Sequence, residues 1–284
     1  MEIPTTTFQK ITYPEGPQVL KFRGLSAFPG VEHLITTRLG GVSEGIFSSM
    51  NVSFTRGDDP AHVMENYRRV ASCFGAGPDR IVCTDQTHTA NIRVATRADA
   101  GKGVTVEKDY RDVDGLLTNE PGLILAGFYA DCVPLLFYDP CRSVIAVAHS
   151  GWRGTVQQIG ARMVQTMQAE FGCDPAMIHV GIGPSICRNC YEVSEDVILE
   201  VQRSLGDAAV KEVATPNGKP QKYQLDLWKC NELILLQAGI LPEHLEITDL
   251  CTCCHPEVLF SHRATGGKRG NLGAFIMLTT DKAR

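Results

Sequence analysis

The chain has 284 residues, 43% of them hydrophobic and 21% charged, and a formal net charge of −5. That length is enough to bury a substantial core, and the acidic balance argues against broad nucleic-acid binding, which needs basic surface to displace counterions. No apolar stretch follows a basic one in MEIPTTTFQKITYPEG, so no signal peptide is expected, and the most apolar run, 122–138, is broken by Asp131 and Pro134 and reads as buried strands rather than a membrane span.

In chain order, short β-like runs alternate with amphipathic helical patterns, which predicts an α/β sandwich. A strand is expected at 31–37. Asp59-Pro60 then opens a helix, with Val63, Tyr67, Val70 and Phe74 at helical spacing and Gly75 as its stop. Strands follow at 92–96, 123–129, 133–138 and 143–148. A helix at 155–171 shows Ile159, Met163 and Met167 on one face and is closed by Gly172. After a strand at 178–182, Ser194 with Glu195 and Asp196 starts a helix that ends near Gly206. Residues 207–223, with Pro216, Gly218 and Pro220, read as an exposed loop. A helix at 225–238 and strands at 245–248 and 274–278 complete the pattern. No repeat, low-complexity tract or linker is visible, so residues 1–284 read as one domain. Eleven cysteines without a secretion signal suggest reduced thiols and a cytoplasmic address.

The segment FYADCVPLLFYDPCRSVIAVAHSGWRG carries the most chemistry. Its two strands flank Asp139-Pro140-Cys141-Arg142, a turn composition. A symmetric hairpin centred between Pro140 and Cys141 puts Cys132 directly across from His149, with β-carbons roughly 4.5–5.5 Å apart. A thiolate at about 2.3 Å and an imidazole nitrogen at about 2.0 Å could then share one zinc ion. His88, in TDQTHTANI just before a strand pattern, is the candidate third ligand. Three protein ligands and an open position make a catalytic rather than a structural zinc site. The plainer alternatives are a small buried hydrophobe for Cys132, a hydrogen-bonded structural histidine for His149 and a solvated loop histidine for His88. Asp131 could orient a ligand from outside the coordination sphere or simply accept backbone hydrogen bonds.

Ser150-Gly151-Trp152-Arg153-Gly154 joins a strand to a helix, where glycines permit close backbone approach and Arg153 suits a phosphate or carboxylate. A tight turn with a solvated arginine is the alternative. Gly181-Ile182-Gly183-Pro184 is a weaker signal of the same kind. Cys187-x-x-Cys190 and Cys251-x-Cys253-Cys254 read as core thiols lining the site, ahead of a structural zinc knot.

Taken together, these residues resemble the laccase-domain family, described as multicopper polyphenol oxidases and as multifunctional purine nucleoside phosphorylases. The resemblance covers most of the chain. It runs through ITTRLGGVSEGIFSSMNVS, GDDPAHVMENYRR, TDQTHTANI, ADCVPLLF, AVAHSGWRG, VGIGPSICRNCYEV and DLCT to the tail LFSHRATGGKRGNLGAFIML. It implies an α/β (α+β) sandwich with mixed β-sheets flanked by helices, similar to the catalytic domain of deamidating bacterial toxins. It also implies that His88, Cys132 and His149 are the metal ligands and catalytic centre, with Arg38, Arg153, Arg263 and Arg269 around the substrate. Three motifs depart from the family pattern: QTHT stands for QVHG, Ser261-His262-Arg263-Ala264 for SYRR, and Gly266-Gly267-Lys268-Arg269-Gly270 for a final TGR. The changes touch substrate contacts rather than metal ligands.

The activity so implied is zinc-dependent phosphorolysis of purine nucleosides, with adenosine deamination as a second activity. The partners are then a purine nucleoside and phosphate. Copper is the alternative metal, for a polyphenol oxidase, although such chemistry needs clustered histidines and the eight here are scattered. A cysteine hydrolase or deamidase, or an enzyme editing peptidoglycan precursors, would use Cys132 as nucleophile and His149 as base.

Overall fold

A computed structural model describes residues 5–14 and 16–279; the first four residues of the segment weighed as a leader lie outside them. Two mixed six-stranded sheets share an inner core. The first has the order β1 (Phe8–Thr12), β2 (Gln18–Phe22), β3 (Val31–Thr36), β15 (Leu272–Leu278), β7 (Ile124–Tyr129) and β4 (Ile81–Cys83). The second runs β14 (Leu245–Ile247), β10 (His179–Ile182), β8 (Val133–Asp139), β9 (Val144–Ser150), β6 (Gly115–Thr118) and β5 (Ile92–Val94). The pairs β4/β7, β5/β6 and β10/β14 are parallel and the remaining ladders antiparallel. A small sheet adds β11 (Glu192–Ser194), β13 (Lys222–Leu225) and β12 (Ala214–Pro216).

The helices are α1 (Pro60–Ser72), α2 (Trp152–Val156), α3 (Ile159–Phe171), α4 (Glu195–Val213), α5 (Leu227–Gln237) and α6 (His262–Thr265). Val63, Tyr67 and Val70 of α1 pack on the outer face of the first sheet against Leu34, Ile124, Ala126 and Phe275. The outer face of the second sheet is covered by α3, α4 and α5 through Met163, Met167, Val201 and Leu235. The layers are therefore helix, sheet, sheet, helix.

Strand periodicity explains why the sequence between 122 and 138 is so apolar. In β8, Leu135 and Phe137 enter the helix-facing core while Leu136 and Tyr138 enter the core between the sheets. Both faces are buried, so alternation disappears and each fully buried Leu or Phe contributes roughly 1.5–3 kcal/mol.

Differences from the sequence reading have local causes. The helix expected at 155–171 is broken: Gln158 turns left-handed (φ 58°) and its side-chain amide donates to the Ser204 carbonyl at 3.0 Å, so α2 stops at Val156 and α3 starts at Ile159. The helix that starts after Ser194 does break at Gly206, whose φ of 83° and ψ of 169° are not helical, but a second helical segment follows at once and carries α4 on to Val213. Residues 207–223 are accordingly not one loop, because β12 and β13 pair there. Among the described residues no helix is long and apolar enough to cross a membrane.

Candidate metal centre and active site

The β8–β9 hairpin sets the site. Asp139 Oδ1 accepts the amides of Cys141 and Arg142 at 2.8 and 3.0 Å, and Ser143 is left-handed at φ 52°. The turn is therefore Pro140-Cys141-Arg142-Ser143, one residue later than a hairpin centred on Pro140 and Cys141. Pro134, not Cys132, lies opposite His149. Moving one strand by two places leaves every side chain on its original face, so Cys132 remains a diagonal neighbour of His149.

His88, Cys132 and His149 offer ligand atoms that all lie within 4.8 Å of one another. Cys132 Sγ is 4.0 Å from His88 Nε2, and the two imidazoles meet edge to face with centroids 4.8 Å apart. Two of these residues come from connections between the sheets, His88 from β4 to β5 and Cys132 from β7 to β8, and His149 lies on β9 itself. Gly151 makes room for them, since a β-carbon there would stand 2.9 Å from Cys132 Sγ and 3.1 Å from His88 Cδ2.

Asp114 orders both histidines. Its fully buried carboxylate accepts His149 Nδ1 at 2.8 Å, which leaves Nε2 free for a metal. It also accepts the backbone amides of Thr87, His88 and Thr89 at 3.1, 3.2 and 2.9 Å, and the Thr89 hydroxyl at 2.9 Å. This cradle holds His88 in a left-handed conformation (φ 66°). Thr89 is not left-handed and adds its hydroxyl to the cradle.

The electrostatics follow from burial and these contacts. Burial would raise the Cys132 thiol, but His149 and His88 outweigh it and draw it down to about 6. Burial would lower His149, which is 4% exposed, yet Cys132 and Asp114 raise it to about 9. Burial works against the Asp114 carboxylate as well, and His149 with the amides of Thr89 and Thr87 keeps it below its ordinary value. The arrangement favours a thiolate beside two nitrogen donors, the borderline set that zinc accepts.

A cavity of about 470 Å³ opens from the three ligands and is lined also by Arg56, Gln86, Lys108, Tyr129, Arg269 and Asn271, a volume typical of small-molecule sites. Arg269 is 7% exposed, its Nε has no hydrogen-bond partner among the described residues, and burial followed by Arg56 lowers its pKa to about 10. The other arginines named from sequence are not among the residues that line this cavity. Arg38 spends its guanidinium on the carbonyls of Ser48 and Pro256 at 2.8 and 2.7 Å and covers Phe260. Arg153 is exposed and stacks over Trp152. Arg263 donates to the carbonyls of Cys190 and Glu192 and covers Tyr191. Burial first, then Cys132, push the Tyr191 hydroxyl up, and Arg263 and Arg153 oppose them. Asp131 (φ 89°) accepts from Thr252 Oγ1, Ser261 Oγ and the Arg263 amide at 2.6, 2.7 and 2.6 Å, fixing the turn before Cys132.

Sequence reasoning missed Asp114, Arg56 and Tyr191. Asp114 had a faint signal, an acid immediately before the apolar strand Gly-Leu-Leu-Thr; Arg56 and Tyr191 had none. Cys187, Cys190, Cys251 and Cys254 come together in a second group, away from the cavity lining.

The fold and the site define an α/β sandwich of two mixed sheets with a histidine-cysteine-histidine centre at their seam. The chain belongs to the family described as multi-copper polyphenol oxidoreductase laccase, whose model matches residues 32–279. It is 39% identical over 245 residues to the purine nucleoside phosphorylase YlmD of Bacillus subtilis (strain 168), covering 85% of this chain and 86% of that one. It is 30% identical over 247 residues to the adenosine deaminase RL5 of an unknown prokaryotic organism, covering 85% and 91%. The crystal structure of the Bacillus licheniformis hypothetical protein YfiH superposes with a TM-score of 0.89 at 35% identity, over 96% of this chain and all of that one.

Proposed function

We propose that this chain is a cytoplasmic zinc-dependent purine nucleoside phosphorylase with adenosine deaminase activity. One observation carries the reading: three metal-type donors line a cavity that is lined also by Arg269, whose buried Nε has no hydrogen-bond partner among the described residues. An unpaired buried donor of this kind costs roughly 1–3 kcal/mol unless an anion satisfies it, and phosphate is the anion of phosphorolysis. The names of the relatives point the same way, and eleven free cysteines suit a reducing compartment.

His88, Cys132 and His149 would hold the zinc. They fit it because their donors converge beside a cavity and Asp114 fixes the His149 proton on Nδ1. Zinc bound there would supply a Lewis acid able to polarise an oxygen and to acidify water.

The chain's own residues account for the rest. Arg269, with Arg56 beside it, would bind phosphate and hold it for attack at ribose C1′ as the bond to the purine breaks. Asp114 keeps both histidines in place throughout and holds the Nδ1 proton of His149. Tyr129, whose hydroxyl is spent on the Ala148 carbonyl at 3.0 Å, offers its ring face beside His149 and so gives the cavity an apolar wall near the centre.

The test is chromatographic assay of adenosine and inosine with purified protein, with and without phosphate. Phosphate-dependent release of adenine and hypoxanthine is expected, with phosphate-independent conversion of adenosine to inosine. Protein of full zinc content that leaves both nucleosides untouched would sink the proposal.

A second reading rests on one further geometric fact: Cys132, His149 and Asp114 follow one another as nucleophile, base and orienting acid. A cysteine hydrolase or deamidase built on them would keep its activity after zinc removal, and iodoacetamide would abolish it by alkylating Cys132.

A further inference from the structure

We propose that Cys187, Cys190, Cys251 and Cys254 form a second metal site, a structural zinc held by four thiolates. The sequence supplies two C-x-x-C pairs, Cys187-Arg188-Asn189-Cys190 and Cys251-Thr252-Cys253-Cys254. The second is easily overlooked because Cys253 interrupts it. Each pair closes into a single tight turn, with the Cys190 amide on the Cys187 carbonyl at 3.1 Å and the His255 amide on the Cys251 carbonyl at 3.2 Å. Such turns present the first and fourth side chains on one side. Although far apart in the chain, the turns are brought together by a bridge between Ser185 and Cys251, reinforced by the Thr252 amide on the Ser185 carbonyl at 3.1 Å.

The four sulfurs converge. All lie within 4.8 Å of one another, and Cys190 Sγ stands 3.5 Å from Cys254 Sγ. A disulfide needs about 2.05 Å, whereas four sulfurs at about 2.3 Å from a tetrahedral zinc lie roughly 3.8 Å apart. The amides of Cys187 and Cys254 both point at Cys251 Sγ, at 3.2 and 3.4 Å, and so favour a thiolate there. Zinc binding would displace four thiol protons and leave a closed site with no position for substrate, the arrangement of a structural zinc.

The clamp would have a purpose beyond holding two turns. From one turn, the Ile186 amide reaches the Asp131 carbonyl at 3.0 Å and the Cys190 carbonyl accepts Arg263 at 3.3 Å. From the other, the Thr252 hydroxyl reaches the Asp131 carboxylate at 2.6 Å. Tying the turns together therefore fixes the residue that precedes Cys132.

The experiment is metal analysis and native mass spectrometry on purified wild-type protein, with limited iodoacetamide alkylation mapped by peptide. The result expected is about two zinc ions per chain. Exposed Cys254 should resist alkylation until a chelator is added, while Cys141, exposed and outside the group, reacts at once. Cys132→Ala should lower the count from two to one and keep Cys254 protected. Cys190→Ser with Cys254→Ser should also lower it from two to one, and Cys253→Ser should leave it at two. The wild-type measurements do not depend on whether any variant folds. Immediate alkylation of Cys254 in wild type, or a zinc count that Cys132→Ala reduces to zero, would overturn the proposal, as would iron or a disulfide in place of zinc.

Discussion

Asp114 Oδ1 accepts the Nδ1 proton of His149 at 2.8 Å while the same carboxylate gathers the backbone of the loop that carries His88. One side chain thus sets the tautomer of one ligand and the position of another. Asp114→Asn is expected to weaken zinc binding roughly 10–100-fold. Competition with a chromophoric chelator measures this, and an unchanged affinity would show that the carboxylate only braces the loop.

Gly151 carries the steric counterpart. Gly151→Ala would place a methyl 2.9 Å from Cys132 Sγ, closer than real β-carbon contacts come, and 3.1 Å from His88 Cδ2, tighter than most of them. The expected protein is folded, with an unchanged far-ultraviolet circular dichroism spectrum, but it loses zinc from the histidine-cysteine-histidine centre. Metal analysis after dialysis decides it; full retention would mean that the ligands can move apart freely.

Arg269 separates the two proposed activities. Arg269→Met should raise KM for phosphate by roughly 10–100-fold, the equivalent of one charge-assisted hydrogen bond. Conversion of adenosine to inosine, which uses no phosphate, should change far less. Equal loss of both activities in steady-state assays would place the arginine on the nucleoside instead.

His33 gives a pH dependence away from the site. Its ring is buried and its Nε2 accepts the Phe22 amide at 2.9 Å, so it is held neutral. Burial, then Lys21, lower its pKa from 6.5 to about 3. The unfolded chain takes up a proton below 6.5 that the folded chain refuses until about 3. The contribution is therefore fully present above the upper value and is lost as pH falls through the window, by up to about 1.4 kcal/mol per pH unit. His33→Gln, which keeps an acceptor for the Phe22 amide, should flatten urea-derived stability between pH 6 and 4 by about that slope. Parallel curves for the two proteins would refute the assignment.

The sequence was most legible where burial was complete. β7, β8, β9 and β15 are apolar on both faces, so their strands were visible. β4 and β6, of three and four residues, are too short to show a period, and the hairpin of β1 and β2 mixes exposed with buried positions. Cys132 and His149 were found through a hairpin register two places away from the real one, because a shift of that size preserves the face. The turn itself depends on Asp139 capping Cys141 and Arg142, which composition does not reveal. Asp114 was missed because its importance arises only from contacts made across the chain. The convergence of Cys187, Cys190, Cys251 and Cys254 was not legible because Cys253 disguised the second C-x-x-C pair.

The three ligands of the candidate centre are drawn from two of the places where the chain passes from one sheet to the other and from a strand of the second sheet. Sliding of one sheet over its neighbour by even an ångström would pull the donors out of common reach. A metal held there would consequently work as a strain gauge for the whole sandwich: mutations far away in the inner core that alter how the sheets seat would be felt first as a loosened ion, before the fold itself gave way.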